Sequence, residues 1–118
     1  MMLGFPRSTK ILFFTAPTDM RKSHCGLSGL IRNELQGDPT DGTLFLFLNR
    51  RRDRIKALYW DRDGLALWYK RLEQGTFEML RADADAKAIR LDETELALLL
   101  GGISFDSAKK RKRFKKAA

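Results

Sequence analysis

The stretch TLFLFL at 43–48 places large apolar side chains on both parities of an extended chain. Successive side chains of a strand point to opposite faces, so this run reads as a central strand buried on both sides rather than one with a wet face. Sheet-like segments surround it. RIKALYW (54–60) alternates in its first half, DRDG (61–64) reads as a hairpin loop with Gly64 able to take the left-handed conformation, and LALWYK (65–70) returns as the next strand. Upstream, KILFFT (10–15) is a short strand closed off by Pro17. Downstream, TFEML (76–80) reads as a further strand and AIRL (88–91) as an edge strand.

Two segments carry a helical pattern. Met20, Leu27, Leu30, Ile31 and Leu35 form a stripe that predicts a helix over 19–35, with Thr18 or Asp19 as its cap. Gly26 and Gly29 weaken that helix but would let a neighbouring element approach closely. Residues 92–102 predict a short helix whose acidic first turn suits the positive end of the helix dipole and whose glycines end it. The cluster GDPTDG (37–42) separates the first helix from the central strand.

A chain of 118 residues has room for one core, and 43% hydrophobic with 32% charged residues suits a packed domain under a charged surface. No apolar run reaches the roughly 20 residues that span a bilayer, and the start has no signal-peptide order, so no membrane association is expected. A single cysteine, Cys25, allows no internal disulfide, and the cytoplasm is the expected compartment.

The net charge of +8 is unevenly placed. The run KKRKRFKK (109–116) holds seven of the 23 basic residues and no acid, leaving 16 basic against 15 acidic residues elsewhere. Residues 49–73 have eight basic and four acidic side chains, while 83–106 have two basic and six acidic. The basic run repels itself and predicts a disordered tail over 107–118, after a single domain over 1–106.

The segments PTDMRK (17–22), GLSGLI (26–31), GTLFLFLNRRRDRIKALYWDRDGLALWYKRLEQGTF (42–77) and LALLLGGI (96–103) resemble the accessory proteins, named TnpB, of the bacterial insertion-sequence family numbered sixty-six. The match spans most of the chain. It departs from the family pattern at Ser23, His24 and Cys25, where a glycine, an aromatic and an acid are expected. It departs again over 79–86, where a proline-containing turn is usual. The resemblance implies a small protein encoded beside a much larger transposase, needed for efficient movement of the element and carrying no known catalytic centre. The longer RNA-guided nuclease that shares the name is unrelated.

His24 and Cys25 lack the further ligands that zinc requires, and as sequence neighbours they are poorly placed as base and nucleophile. Asp53, Asp61 and Asp63 could in principle hold divalent metals for phosphoryl transfer, but aspartate is also a standard turn former. No glycine-rich phosphate loop is present, so an ATPase is not supported.

The cations are the stronger signal, because each phosphate they neutralise releases counterions. Arg50, Arg51, Arg52 and Arg54 cluster at one turn, and Arg62, Lys70 and Arg71 lie beside the aromatic pairs Tyr59-Trp60 and Trp68-Tyr69. The tail adds Lys109, Lys110, Arg111, Lys112, Arg113, Lys115 and Lys116. Exposed rings among cations can stack bases, though on a strand at least one ring of each pair is expected in the core.

The reading is an α+β domain, a mostly antiparallel sheet of about five strands with two helices and a basic tail. It is expected to be a bacterial, non-enzymatic accessory factor of transposition with no cofactor or metal. Its expected partners are DNA, bound with weak sequence preference, and the transposase. The alternative is an adaptor in which the acidic turn 92–95 or the apolar stripe of the first helix docks the transposase without DNA contact. A metal-dependent nuclease stands third, on the aspartates alone.

Overall fold

The structure, a computed structural model, describes residues 6, 8–78 and 86–101. In chain order its elements are β1 (Ile11–Phe14), α1 (His24–Glu34), β2 (Leu44–Leu48), β3 (Arg54–Asp61), β4 (Gly64–Arg71), β5 (Ala88–Leu91) and α2 (Glu93–Gly101). The strands form one sheet in the order β4-β3-β2-β1-β5. The doubly apolar run is its central strand. β1 pairs with β2 in parallel, with Ile11 opposite Leu44, and α1 lies between them in sequence, as a parallel connection requires. The other three pairings are antiparallel, so the sheet is mostly so.

Both faces of the sheet are covered. Phe45 and Phe47 of β2 join Phe14, Leu58, Leu27 and Ile31 on the side of α1. Leu44, Leu46 and Leu48 join Ile11, Phe13, Ile55, Ala57, Phe77 and, from α2, Leu96 and Leu99 on the other. All five residues of β2 are buried. The alternating parity of one strand thus supplies two cores, which is why all five of its side chains are apolar.

The first helix is shorter than its apolar stripe predicts, beginning at His24 rather than at residue 19. Asp19 caps a turn instead: its Oδ1 accepts the Arg21 backbone N–H at 2.9 Å, and the Lys22 N–H returns to the Asp19 carbonyl at 3.1 Å. The carbonyls of Met20 and Lys22, which a continuing helix would use, accept hydrogen bonds from Lys56 Nζ, each at 2.7 Å. A long-range contact has displaced local propensity. Neither glycine shows a close approach of another element: a Cβ on Gly29 would meet nothing within 4 Å, and the three atoms nearest a Cβ on Gly26 all belong to the Lys22 side chain.

α2 starts as its acidic turn predicts. Asp92 Oδ1 accepts the Glu95 N–H at 2.7 Å and Glu95 Oε1 accepts the Asp92 N–H at 3.0 Å, a reciprocal capping box. Residues 76–78 are not a strand, and 79 and 80 lie outside the described residues. Phe77 is fully buried, and its N–H donates to the Arg52 carbonyl at 2.6 Å, so this segment is tied to a turn rather than to the sheet.

Candidate nucleic-acid interface

The turn joining β2 to β3 is built on Asn49. Its Oδ1 accepts the backbone N–H groups of Asp53 and Arg54, both at 3.0 Å, and its Nδ2 donates to Asp53 Oδ1 at 2.7 Å. The Arg52 N–H closes onto the Asn49 carbonyl at 3.1 Å, and Arg52 holds a left-handed φ of 63°. Two outside donors secure the turn from behind: Leu72 N–H to the Asp53 carbonyl at 2.7 Å and Phe77 N–H to the Arg52 carbonyl. Backbone and polar side chains are thus bound inward. Arg50, Arg51 and Arg52 are exposed, and none forms an ion pair among the described residues.

A second segment closes on this turn. The Thr18 N–H donates to the Leu48 carbonyl at 2.8 Å, and Lys56, reaching up from β3, holds the backbone at residues 20 and 22. Between the two lies a cleft of about 420 Å³ whose lining includes Arg21, Arg50, Arg51, Arg54 and one carboxylate, Asp19. That carboxylate is engaged by Arg21, whose guanidinium reaches it at 2.7 Å. Hydrogen bonds from the Arg21 side chain and then from its backbone N–H hold Asp19 down to about 2, from an ordinary 3.8. Four guanidinium groups against one carboxylate give the cleft an excess of three positive charges.

The predicted cations do not all gather here. Arg54 and Arg71 are direct cross-strand partners at the same end of the β3–β4 pair as the turn. Arg62, also at a left-handed φ of 56°, sits at the opposite end, about 24 Å away along strands of eight residues. Lys70 pairs with Ile55, so it lies on the sheet face away from Arg54. The seven tail cations lie outside the described residues.

Of the four rings, Tyr59 and Trp68 pack against the core on the α2 side, and Trp60 is half-buried. Tyr69 is exposed, and Lys56 Nζ lies 4.8 Å from its ring centre. Asp53 is absorbed into the turn, Asp61 and Asp63 are exposed at the hairpin, and among the described residues no group of three or more His, Cys, Asp or Glu could hold a metal ion. His24 and Cys25 are exposed, with His24 Nδ1 3.1 Å from Ser23 Oγ.

A second cleft, of about 360 Å³, lies beside β5 and the start of α2 and is lined by Arg90, Asp92, Glu93 and Glu95. Its polarity is opposite. Asp92 and Glu95 cap the helix, with Asp92 and Glu93 exposed, and in the apolar stripe of the first helix Leu27 and Ile31 are fully buried while Met20, Leu30 and Leu35 are partly buried against the same core.

The sequence profile of the IS66 Orf2 like proteins, the TnpB accessory proteins of that insertion sequence, matches residues 9–110. The chain belongs to the IS66 Orf2 family. Two similar proteins come from Sinorhizobium fredii (strain NBRC 101917 / NGR234), both described as uncharacterized. One, y4jC, is 34% identical over 110 residues, covering 93% of this chain and 92% of the relative. The other, y4hO, is 32% identical over 104 residues, covering 88% and 89%. No solved structure matches. Membership places this IS66 Orf2 protein in an insertion-sequence-associated accessory role. Among its described residues no helix is long and apolar enough to cross a membrane.

One residue of this site, Arg21, escapes a sequence-based reading of the IS66 Orf2 chain. It is hidden by assigning its segment to a helix from residue 19, which would spread 19–22 around an axis instead of folding it over the turn. Tyr69 is named by the sequence only as one of a pair, without saying which ring of the pair faces outward. The usable signal is parity, which puts Tyr69 with Arg71 on one face and opposite Lys56 and Arg54.

Proposed function

We propose that this protein is a non-catalytic, cytoplasmic accessory factor of transposition that binds DNA with little sequence preference and works beside its cognate transposase. The folded contact is the arginine cleft, with Arg50, Arg51 and Arg54 on the turn and Arg21 facing them. The tail cations Lys109, Lys110, Arg111, Lys112, Arg113, Lys115 and Lys116 add a sequence-independent contact. One observation carries the reading: three arginines stand out from a turn whose backbone is secured by hydrogen bonds, beside a fourth across a cleft. The anchored backbone fixes the positions from which these side chains project, and guanidinium groups suit bidentate contact with phosphate. Of the two surfaces the adaptor reading would use, the α1 stripe is fully buried at Leu27 and Ile31, and the acidic turn 92–95 is exposed at Asp92 and Glu93.

The test is a titration of duplex DNA over a salt series with three proteins: wild type, a deletion of 109–116, and the triple change of Arg50, Arg51 and Arg54 to alanine. For duplex DNA the slope of log affinity against log salt is about −0.9 per phosphate neutralised. The deletion should flatten it by several units and the triple change by at most about three. A pull-down with the cognate transposase, with and without element-end DNA, tests the partner in parallel. Wild-type protein that binds no DNA at low salt yet retains the transposase would establish the adaptor instead.

A further inference from the structure

Tyr69 is the one large hydrophobic residue exposed among the described residues, at 47%. Its ring is fixed rather than loose. Lys56, itself only 6% exposed, places its ammonium 4.8 Å from the ring centre, and an Arg54 guanidinium nitrogen lies 3.5 Å from the phenol oxygen. A buried cation must approach the ring from the protein side, so the exposed part of Tyr69 is its outer side.

The charges beside the ring are arranged against the fold's own interest. Arg54 and Arg71 stand directly opposite each other on neighbouring strands, and like charges so placed are destabilising. Glu73 lies 3.2 Å from Arg71, with both side chains more than half exposed. Arg54 has no carboxylate partner among the described residues. An anion lying between the two arginines would relieve the repulsion. The pair formed by Lys56 and Tyr69 is the next one on that face, two residues or about 7 Å along the strands. Phosphate-binding groups and a flat ring are thus neighbours on one surface, which continues into the cleft of Arg50 and Arg51.

From this geometry we infer that Tyr69 is a stacking platform for an unpaired base whose flanking phosphates are held by Arg54 and Arg71, so that the site takes single-stranded or locally opened DNA. The inference rests on the DNA-binding reading above and names the form of DNA. In a duplex the faces of the bases are covered by their neighbours, and an outward ring gains nothing from it. In a single strand every base has a face to offer, and stacking is sequence-tolerant.

The experiment uses the full chain and two fluorescein-labelled probes of about 16 nucleotides, an oligothymidine strand and a mixed-sequence duplex. Wild type, Tyr69→Ala and Tyr69→Phe are titrated against both. Tyr69→Ala should weaken single-strand binding about 5- to 150-fold and change duplex binding less than twofold, leaving the salt slope alone. Tyr69→Phe keeps the ring and should stay within about threefold of wild type on both probes. Irradiation of wild type with a 5-bromodeoxyuridine-substituted strand gives a readout that needs no variant, with the crosslink expected at Tyr69. Equal losses on strand and duplex, no loss on either, or a crosslink mapped elsewhere would overturn the stacking role while leaving DNA binding standing. Wild type that binds neither probe at low salt would overturn both.

Discussion

A buried ammonium needs acceptors, and Lys56 takes the carbonyls of Met20 and Lys22 rather than a carboxylate. That choice holds the 18–22 segment against β3 and so sets one wall of the arginine cleft. Replacing Lys56 by methionine keeps the stem but leaves both carbonyls without their donor. It should lower stability by roughly 1–3 kcal/mol in urea unfolding, with faster amide exchange at residues 19–22 as the local sign. Asp19, on the same segment, gives a pH test. Its folded value of about 2 lies below the ordinary 3.8, so whatever the Asp19–Arg21 pair contributes is fully present above about pH 4 and is lost as pH falls through about 2. A carbon-detected NMR titration of the Asp19 carboxyl should show that low midpoint. In Arg21→Ala it should move only part of the way to the ordinary value, because the backbone N–H at position 21 still donates to Oδ1.

Among the elements, α1 carries the clearest mismatch between local preference and role. Its cap residue Ser23 makes no side-chain capping bond, and Gly26 and Gly29 lie in its interior. The helix is held by Leu27 and Ile31 packing on the sheet rather than by its own propensity. Gly29 has open space where a Cβ would stand, so Gly29→Ala should raise stability by about 0.5–1 kcal/mol in thermal unfolding, with no change in DNA affinity. A loss of stability would show that a close approach at Gly29 matters to the fold. α2 is the contrast, since its reciprocal Asp92–Glu95 box is complete within the helix's own first turn.

At the scale of the whole molecule, charge is sorted across the sheet. The basic cleft lies at the end of β2, β3 and β4, while the acidic cleft lies by β5, the opposite edge strand. Such a polarity orients an approaching polyanion before contact and weakens with added salt. Every buried hydrophobic among the described residues falls between Ile11 and Leu99, and the run 107–118 has Phe114 as its one large apolar side chain. A chain ending at Asp106 should therefore remain soluble, with an unchanged circular dichroism spectrum and unfolding stability within about 0.5 kcal/mol of the full chain. A collapsed or insoluble product would show the tail to be part of the fold.

The run 43–48 by itself determined that a strand buried on both faces lies at the centre, because parity is a property of one segment and needs no partner to read. The acidic turn 92–95 likewise announced the start of α2, since a helix dipole favours acids in its own first turn. The arginine turn was visible as composition. What only the tertiary structure decided is which cations act together: Arg62 and Lys70 are separated from the turn by strand length and sheet face, while Arg21 is brought to it. The same holds for the start of α1, where the local pattern favours helix from residue 19 and Lys56, 34 and 36 residues away in sequence, claims the carbonyls that helix would need. Contacts at that separation depend on how strands and loops pack, and no periodicity within either segment records them.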